Sequence, residues 1–102
     1  MSYENVQVSV FKEKIQSEPD AIILDVRSEP ELSEGFVPNH TMINFLSPDF
    51  AEKVATLDKD KVYLLYCRSG GRSERACQMM EGMGFTKLYN LLGGIQAWNQ
   101  SE

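Results

Sequence analysis

Several residue types and patterns are scarce in this chain, and each scarcity excludes a class of protein. Two cysteines occur among 102 residues, only ten positions apart, which does not suit the disulfide framework of a small secreted domain. No stretch approaches the roughly 20 apolar residues of a membrane span. The first residues also lack the basic and then apolar pattern of a signal peptide. We therefore expect free thiols, no membrane partner and a cytoplasmic location.

Positive charge and metal ligands are also scarce. Lys and Arg number 10 against 15 Asp and Glu, giving a net charge of -5, so nucleic acid is not an expected partner. The single histidine, His40, has no His, Cys or Glu nearby at metal-ligand spacing. No Gly-x-Gly-x-x-Gly nucleotide fingerprint is present either. We expect neither a metal nor an organic cofactor.

What the chain does contain is the alternation of short apolar runs and helical patterns that is typical of an α/β domain. At 102 residues, with 42% hydrophobic and 25% charged residues, it suits one domain with one core. Strands are predicted near 6–10, 21–26, 42–45, 62–66 and 86–91. Helices are predicted from about Ser9, over 29–34, after Ser47-Pro48, from the glycines at 70–71 to about 82–84, and after Gly93-Gly94. This order predicts a mostly parallel sheet covered by helices.

The most informative stretch is the apolar run 62–66, which stops abruptly at Cys67 and is followed by a Gly-rich, basic loop. A strand, a tight loop and a helix N-terminus bring several backbone N–H groups to one point. These amides, the helix dipole and the guanidinium groups of Arg68 and Arg72 would favour the thiolate, which is the nucleophilic form of cysteine. Gly70 and Gly71 would let the backbone curl into an anion-binding nest. Cys67 is therefore the candidate nucleophile.

Two other residues with reactive side chains have simpler interpretations. Cys77 lies on the inner edge of the helix that follows the loop, so we expect it to be structural, with a minor possibility that it resolves an oxidised Cys67. Asp25 ends a buried strand and could act as a general acid or base. A carboxylate held by loop N–H groups or by Arg27 is the favoured interpretation.

Four segments together resemble the single-domain rhodaneses. They are Asp25-Val26-Arg27, Glu31 with Gly35 four positions later, Cys67-Arg68-Ser69-Gly70-Gly71-Arg72-Ser73, and Leu92-Gly93-Gly94-Ile95-Gln96-Ala97-Trp98. The resemblance spans about residues 6–99 of a single domain, 1–102. It implies a rhodanese-like α/β fold, with a five-stranded, mostly parallel sheet flanked by helices on both faces. It also implies that Cys67 carries sulfur as a persulfide, and that the substrate-binding loop consists of Arg68, Ser69, Gly70, Gly71 and Arg72.

One segment departs from the family pattern. Many members have Gly-His-Ile-Pro-Gly-Ala where this chain has Gly35-Phe36-Val37-Pro38-Asn39-His40-Thr41. The histidine of the family is replaced by Phe36, which we expect to pack instead. Because that histidine does not carry sulfur in the family, the departure concerns the conformation of the loop rather than the predicted activity.

The predicted function is sulfur transfer through a Cys67 persulfide. The donor would be a small sulfur anion such as thiosulfate, or a persulfide, and the acceptor a thiol, cyanide or a protein persulfide acceptor. A cysteine phosphatase is less favoured, because its loop has five residues between Cys and Arg and this loop has four. A non-enzymatic binding module of the same fold, or a redox sensor that uses both cysteines, stays open as an alternative.

Overall fold

The computed structural model describes residues 3–101, which form a five-stranded parallel sheet with helices around it. The strands are β1 (Tyr3–Val6), β2 (Ile22–Asp25), β3 (Thr41–Met42), β4 (Tyr63–Tyr66) and β5 (Leu88–Leu91). The helices are α1 (Val8–Ser17), a 3-10 helix (Glu29–Glu34), α2 (Phe50–Ala55), α3 (Gly71–Gly82) and α4 (Gly94–Gln100). Strand order is β1-β5-β4-β2-β3, which places β4 in the middle. The predicted α/β fold with a five-stranded parallel sheet is confirmed.

The central strand β4 is buried along its whole length, which explains its uninterrupted apolar sequence. All four of its residues are buried, and their side chains alternate between two core layers. One layer packs the sheet against α2 and α3, through residues such as Phe50, Val54 and Met80. The other packs it against α1 and α4, through Phe11 and Ile95. Helices therefore cover both faces, as predicted, and the carboxyl ends of the strands meet at one edge.

The first strand lies earlier than predicted. The alternation of valines favours a strand over 6–10, but β1 is Tyr3–Val6 and α1 begins at Val8. The physical reason is burial. Tyr3 and Val6 are the buried residues of β1, and this strand pairs with β5. Phe11 is the fully buried residue of α1. The helical spacing of Val8, Phe11 and Ile15 therefore prevails over the two-residue alternation.

The third strand is shorter than predicted but continues as irregular backbone pairing. Only Thr41–Met42 are strand residues, rather than 42–45. Beyond them, the N–H groups of Ile43 and Phe45 donate to the carbonyls of Asp25 and Val26, at 2.9 and 3.0 Å. The chain thus stays attached to β2 up to the turn that leads into α2. Among residues 3–101, no helix is both long and apolar enough to cross a membrane.

A buried charge network fixes the carboxyl end of β2. The Arg27 Nε and Nη2 groups donate to the two Asp25 carboxylate oxygens, both at 2.9 Å, and both side chains are fully buried. Tyr66, at the end of β4, also donates its hydroxyl to Asp25, at 2.9 Å. Arg27 then reaches the backbone carbonyls of Glu31 and Gly35, at 3.1 and 2.9 Å. Asp25 is therefore held by Arg27, as predicted, and the network ties the 3-10 helix to the sheet.

The loop that departs from the family pattern places its aromatic residue at the surface. Phe36 is 52% exposed, so it packs at the surface rather than in the core. Its ring stacks on His40, with ring centroids 5.2 Å apart. The Nδ1 of His40 lies 2.7 Å from the Tyr66 hydroxyl and 3.0 Å from an Asp25 oxygen. His40 thus joins the network at the end of β2, and Phe36 covers its outer side.

Candidate active site

The Cys67 sulfur lies where β4 ends and α3 begins, inside a ring of hydrogen-bond donors. The Gly70 N–H donates to this sulfur at 3.1 Å, and the Ser73 hydroxyl lies 3.3 Å from it. Gly70 occupies the N-cap position of α3 with a φ of 109°, which favours glycine over any residue with a side chain. The predicted nest of amides at a helix N-terminus is therefore present, with Cys67 at its centre.

Gly71, by contrast, does not need to be glycine for the backbone to form this turn. It is the first residue of α3, its φ is not positive, and a Cβ atom built on it would meet no atom within 4 Å. The backbone conformation of this turn therefore requires glycine at Gly70 but leaves room for a side chain at Gly71. Ser69, the remaining small residue of the loop, is exposed.

The surroundings of Cys67 act on its pKa in opposite directions. Burial raises the pKa, because an apolar environment disfavours the charged thiolate. Hydrogen bonds from the Ser73 hydroxyl and from the N–H groups of Ser73, Gly70 and Ser69 lower it. The hydrogen bonds prevail, so that the pKa of the Cys67 thiol lies below its ordinary value. The site favours a thiolate that is shielded from water.

Cys77 has the opposite character. It is fully buried in α3, and burial together with the charges of Glu74 and Glu81 raises its pKa to about 12. A thiol with such a pKa is protonated at neutral pH and is a poor nucleophile. This environment agrees with the structural role predicted for Cys77, and it gives little support to a dithiol mechanism.

The N-terminus of α4 packs against the backbone of Cys67 and Arg68. The Ile95 N–H donates to the Cys67 carbonyl at 2.9 Å. A Cβ atom on Gly94 would lie 2.4 Å from that carbonyl oxygen and 2.5 Å from the one of Arg68, so only glycine permits this approach. The Gly-Gly pair at 93–94 therefore serves the site through its lack of side chains. The sequence predicts a helix after Gly93-Gly94 but does not connect these glycines to Cys67.

The two arginines of the loop differ in their surroundings. Arg68 is 57% exposed, and its Nε lies 3.3 Å from a Glu34 oxygen. Arg72 is 23% exposed and forms a two-pronged ion pair with Glu31, with nitrogen–oxygen distances of 2.9 and 2.6 Å. The sequence placed both arginines at the site, but it did not predict that each faces a carboxylate. Among residues 3–101, no group of three or more His, Cys, Asp or Glu side chains could hold a metal ion.

Ser73 is a contact of the sulfur that was not among the predicted site residues. We expect Ser73→Ala to move the pH midpoint of Cys67 alkylation upward by about one unit, because the thiolate loses a hydrogen bond. The measurement is the iodoacetamide rate against pH in a Cys77→Ser background. Ser33→Ala, which removes an exposed hydroxyl from the 3-10 helix, is the control and should leave the midpoint in place. An unchanged midpoint in Ser73→Ala would show that the backbone amides alone stabilise the thiolate.

Comparisons with known proteins agree on one family. The model of the rhodanese-like domain matches residues 7–101. The Bacillus subtilis (strain 168) protein named "Putative sulfurtransferase YtwF" is 39% identical over 98 residues, which cover 96% of this chain and 92% of that protein. A Coxiella burnetii (strain RSA 331 / Henzerling II) protein named thiosulfate sulfurtransferase GlpE is 31% identical over 80 residues, covering 78% of this chain and 72% of that one.

A solved structure gives the same result for the fold. The crystal structure of a rhodanese-related protein from Thermoplasma volcanium superposes with a TM-score of 0.82 at 29% sequence identity. The superposition covers 97% of this chain and 93% of the other. Sequence, structure and the arrangement around Cys67 thus lead to one assignment: this chain belongs to the rhodanese-like family.

Proposed function

We propose that this protein is a sulfurtransferase in which Cys67 receives sulfane sulfur as a persulfide and passes it to an acceptor. The observation that carries the proposal is the ring of donors around the Cys67 sulfur, with a thiol pKa below its ordinary value despite burial. A sulfurtransferase needs a thiolate at rest and a place for a second, negatively charged sulfur. Relatives that carry the name sulfurtransferase support the same activity.

In the first step, the Cys67 thiolate attacks the outer sulfur of the donor. A bond forms between the two sulfurs while the bond from the outer sulfur to the rest of the donor breaks, and its electron pair leaves with that part. Thiosulfate would release sulfite, and a persulfide would release a thiolate. The amides at the start of α3 stabilise the negative charge on the Cys67 persulfide.

In the second step, a thiol or cyanide attacks the outer sulfur of the persulfide and restores the Cys67 thiolate. The Ser73 hydroxyl, 3.3 Å from the sulfur, can donate to the returning charge. Arg72 lies in the first turn of α3 and offers N–H donors close to the site, whereas the exposed Arg68 would guide anions from solvent. The chemistry consists of two displacements at sulfur and requires no metal or organic cofactor.

The proposal predicts that the purified protein transfers sulfur and does not hydrolyse phosphate esters. With thiosulfate or benzenethiosulfonate as donor and cyanide or a thiol as acceptor, we expect turnover with ping-pong kinetics. Aryl phosphates should not be hydrolysed above the rate in buffer, because the loop of four residues between Cys67 and Arg72 is smaller than that of the cysteine phosphatases. Hydrolysis of an aryl phosphate at an enzyme-like rate, without sulfur transfer from either donor, would refute the proposal.

A further inference from the structure

Glu31 forms a largely buried ion pair with Arg72, and its negative charge offsets the positive charge that would otherwise attract an anionic donor to the site. Glu31 Oε2 accepts from Arg72 Nη1 at 2.9 Å, and Glu31 Oε1 accepts from Nη2 at 2.6 Å. The two side chains are 23% and 19% exposed. A guanidinium has five N–H donors, so Arg72 keeps donors beyond the two that Glu31 accepts from, but the ion pair as a whole carries no net charge. The hydrogen bond from Arg72 lowers the pKa of Glu31 to about 2, against a smaller opposing effect of burial, so Glu31 is charged at neutral pH.

The Glu31 carboxylate is held in this position by a second set of contacts. Ser28 donates both its N–H and its hydroxyl to Glu31 Oε2, at 2.9 and 2.8 Å, which completes the capping box of the 3-10 helix. The buried Arg27 donates to the Glu31 carbonyl at 3.1 Å. These contacts hold the Glu31 carboxylate in place from the side of the 3-10 helix, independently of Arg72.

Two other arginines near the carboxyl ends of the strands, Arg27 and Arg68, are also paired with carboxylates. Arg27 is paired with Asp25, and Arg68 lies 3.3 Å from Glu34. The whole chain carries a net charge of -5. Thus the three arginines at residues 27, 68 and 72 each face a carboxylate, and they provide little net positive potential for a small dianion.

We propose that Glu31 sets the donor selectivity of the site: by neutralising Arg72 it disfavours dianionic donors such as thiosulfate and favours donors of low charge, of which an organic persulfide is the natural class. This inference rests on the proposed sulfur transfer. Attack of the Cys67 thiolate on thiosulfate brings three negative charges together. Attack on a protonated persulfide, R–S–SH, brings only one, and it yields the Cys67 persulfide and the thiolate RS⁻ with atoms and charge balanced.

The test compares two donors that differ by one charge, in Glu31→Gln and in wild type. Gln keeps an oxygen that can accept from Ser28 but removes the charge. Because the Coulomb energy scales with the charge of the donor, the rate constant kcat/KM should rise about tenfold for thiosulfate, a dianion, and about threefold for benzenethiosulfonate, a monoanion. Glu29→Gln makes the same charge change at an exposed position of the same 3-10 helix and should alter neither value by more than about twofold.

A second readout does not depend on sulfur transfer. In a Cys77→Ser background, Cys67 is alkylated by iodoacetate, an anion, and by iodoacetamide, which is neutral. The ratio of the two rates cancels changes in the thiolate fraction and reports the potential at the sulfur. It should rise about threefold in Glu31→Gln. Glu31→Asp keeps the charge but shortens the side chain, so it should shift the ratio in the same direction by less, and it serves if Glu31→Gln does not fold.

The possible outcomes separate the two proposals. Equal changes for both donors with an unchanged alkylation ratio, or a fall in thiosulfate turnover, would mean that Glu31 acts only by positioning Arg72, and the inference would be overturned. If no donor sulfurates Cys67 in any variant while the alkylation ratio rises as expected, the proposed sulfur transfer fails but the charge effect of Glu31 stands.

Discussion

Cys67→Ser should abolish sulfur transfer with every donor, whereas Cys77→Ser should retain most of the wild-type rate. The serine hydroxyl is not ionised at neutral pH, and only residue 67 faces the donors of Gly70 and Ser73. Cys77 is fully buried, and its pKa is raised to about 12. The measurement is release of sulfite or sulfinate from the donor in the presence of a thiol acceptor.

The control for this pair is a thermal melt of both variants, since each cysteine is packed in the same core layer. Comparable loss of activity in two folded variants would contradict the single-cysteine mechanism. It would instead indicate a dithiol mechanism, in which Cys77 resolves an intermediate on Cys67.

Arg72→Ala should lower kcat/KM roughly ten- to a hundredfold, since hydrogen bonds to charged groups contribute about 1.5 to 3 kcal/mol. Two effects act together. The donor loses an N–H partner, and the Glu31 carboxylate is left next to the site without its guanidinium, which also raises the pKa of Cys67. Arg72→Lys keeps the charge without the planar fork, so it should restore the thiolate more than the affinity for the donor.

The double variant Arg72→Ala/Glu31→Gln separates these effects. Removal of the unpaired carboxylate should recover about tenfold of the lost thiosulfate turnover, because only the electrostatic part is relieved. Arg68→Ala is the comparison: its side chain is 57% exposed, so its loss should cost less and chiefly at low salt. If Arg72→Ala leaves both the pH dependence of Cys67 alkylation and the thiosulfate kinetics unchanged, the backbone amides alone stabilise the thiolate and bind the donor.

The features that could be predicted from the sequence are those with a local signal. The run that ends at Cys67 is apolar because β4 is buried on both faces, and the glycines that follow mark the start of α3. The short helix predicted over 29–34 is present as the 3-10 helix Glu29–Glu34, and Ser28 and Glu31, three positions apart, form its capping box. In each case neighbouring residues carry the information.

The features that were missed depend on contacts between distant parts of the chain. Glu31 and Arg72 are 41 positions apart, and nothing near either one indicates that they form an ion pair. Ile95 reaches the Cys67 carbonyl only because the sheet brings the ends of β4 and β5 together. The position of β1 was wrong for a related reason: pairing with β5 and burial of Tyr3 decide it, and neither is visible in a local two-residue alternation.

The central claim, that Cys67 carries sulfur, is tested most directly by the intact mass of the protein after incubation with thiosulfate or benzenethiosulfonate and removal of the donor. The proposal predicts a gain equal to one sulfur atom, located on the peptide that contains Cys67 and lost on addition of cyanide or a thiol. An unchanged mass with both donors, or added sulfur on the Cys77 peptide instead, would contradict it.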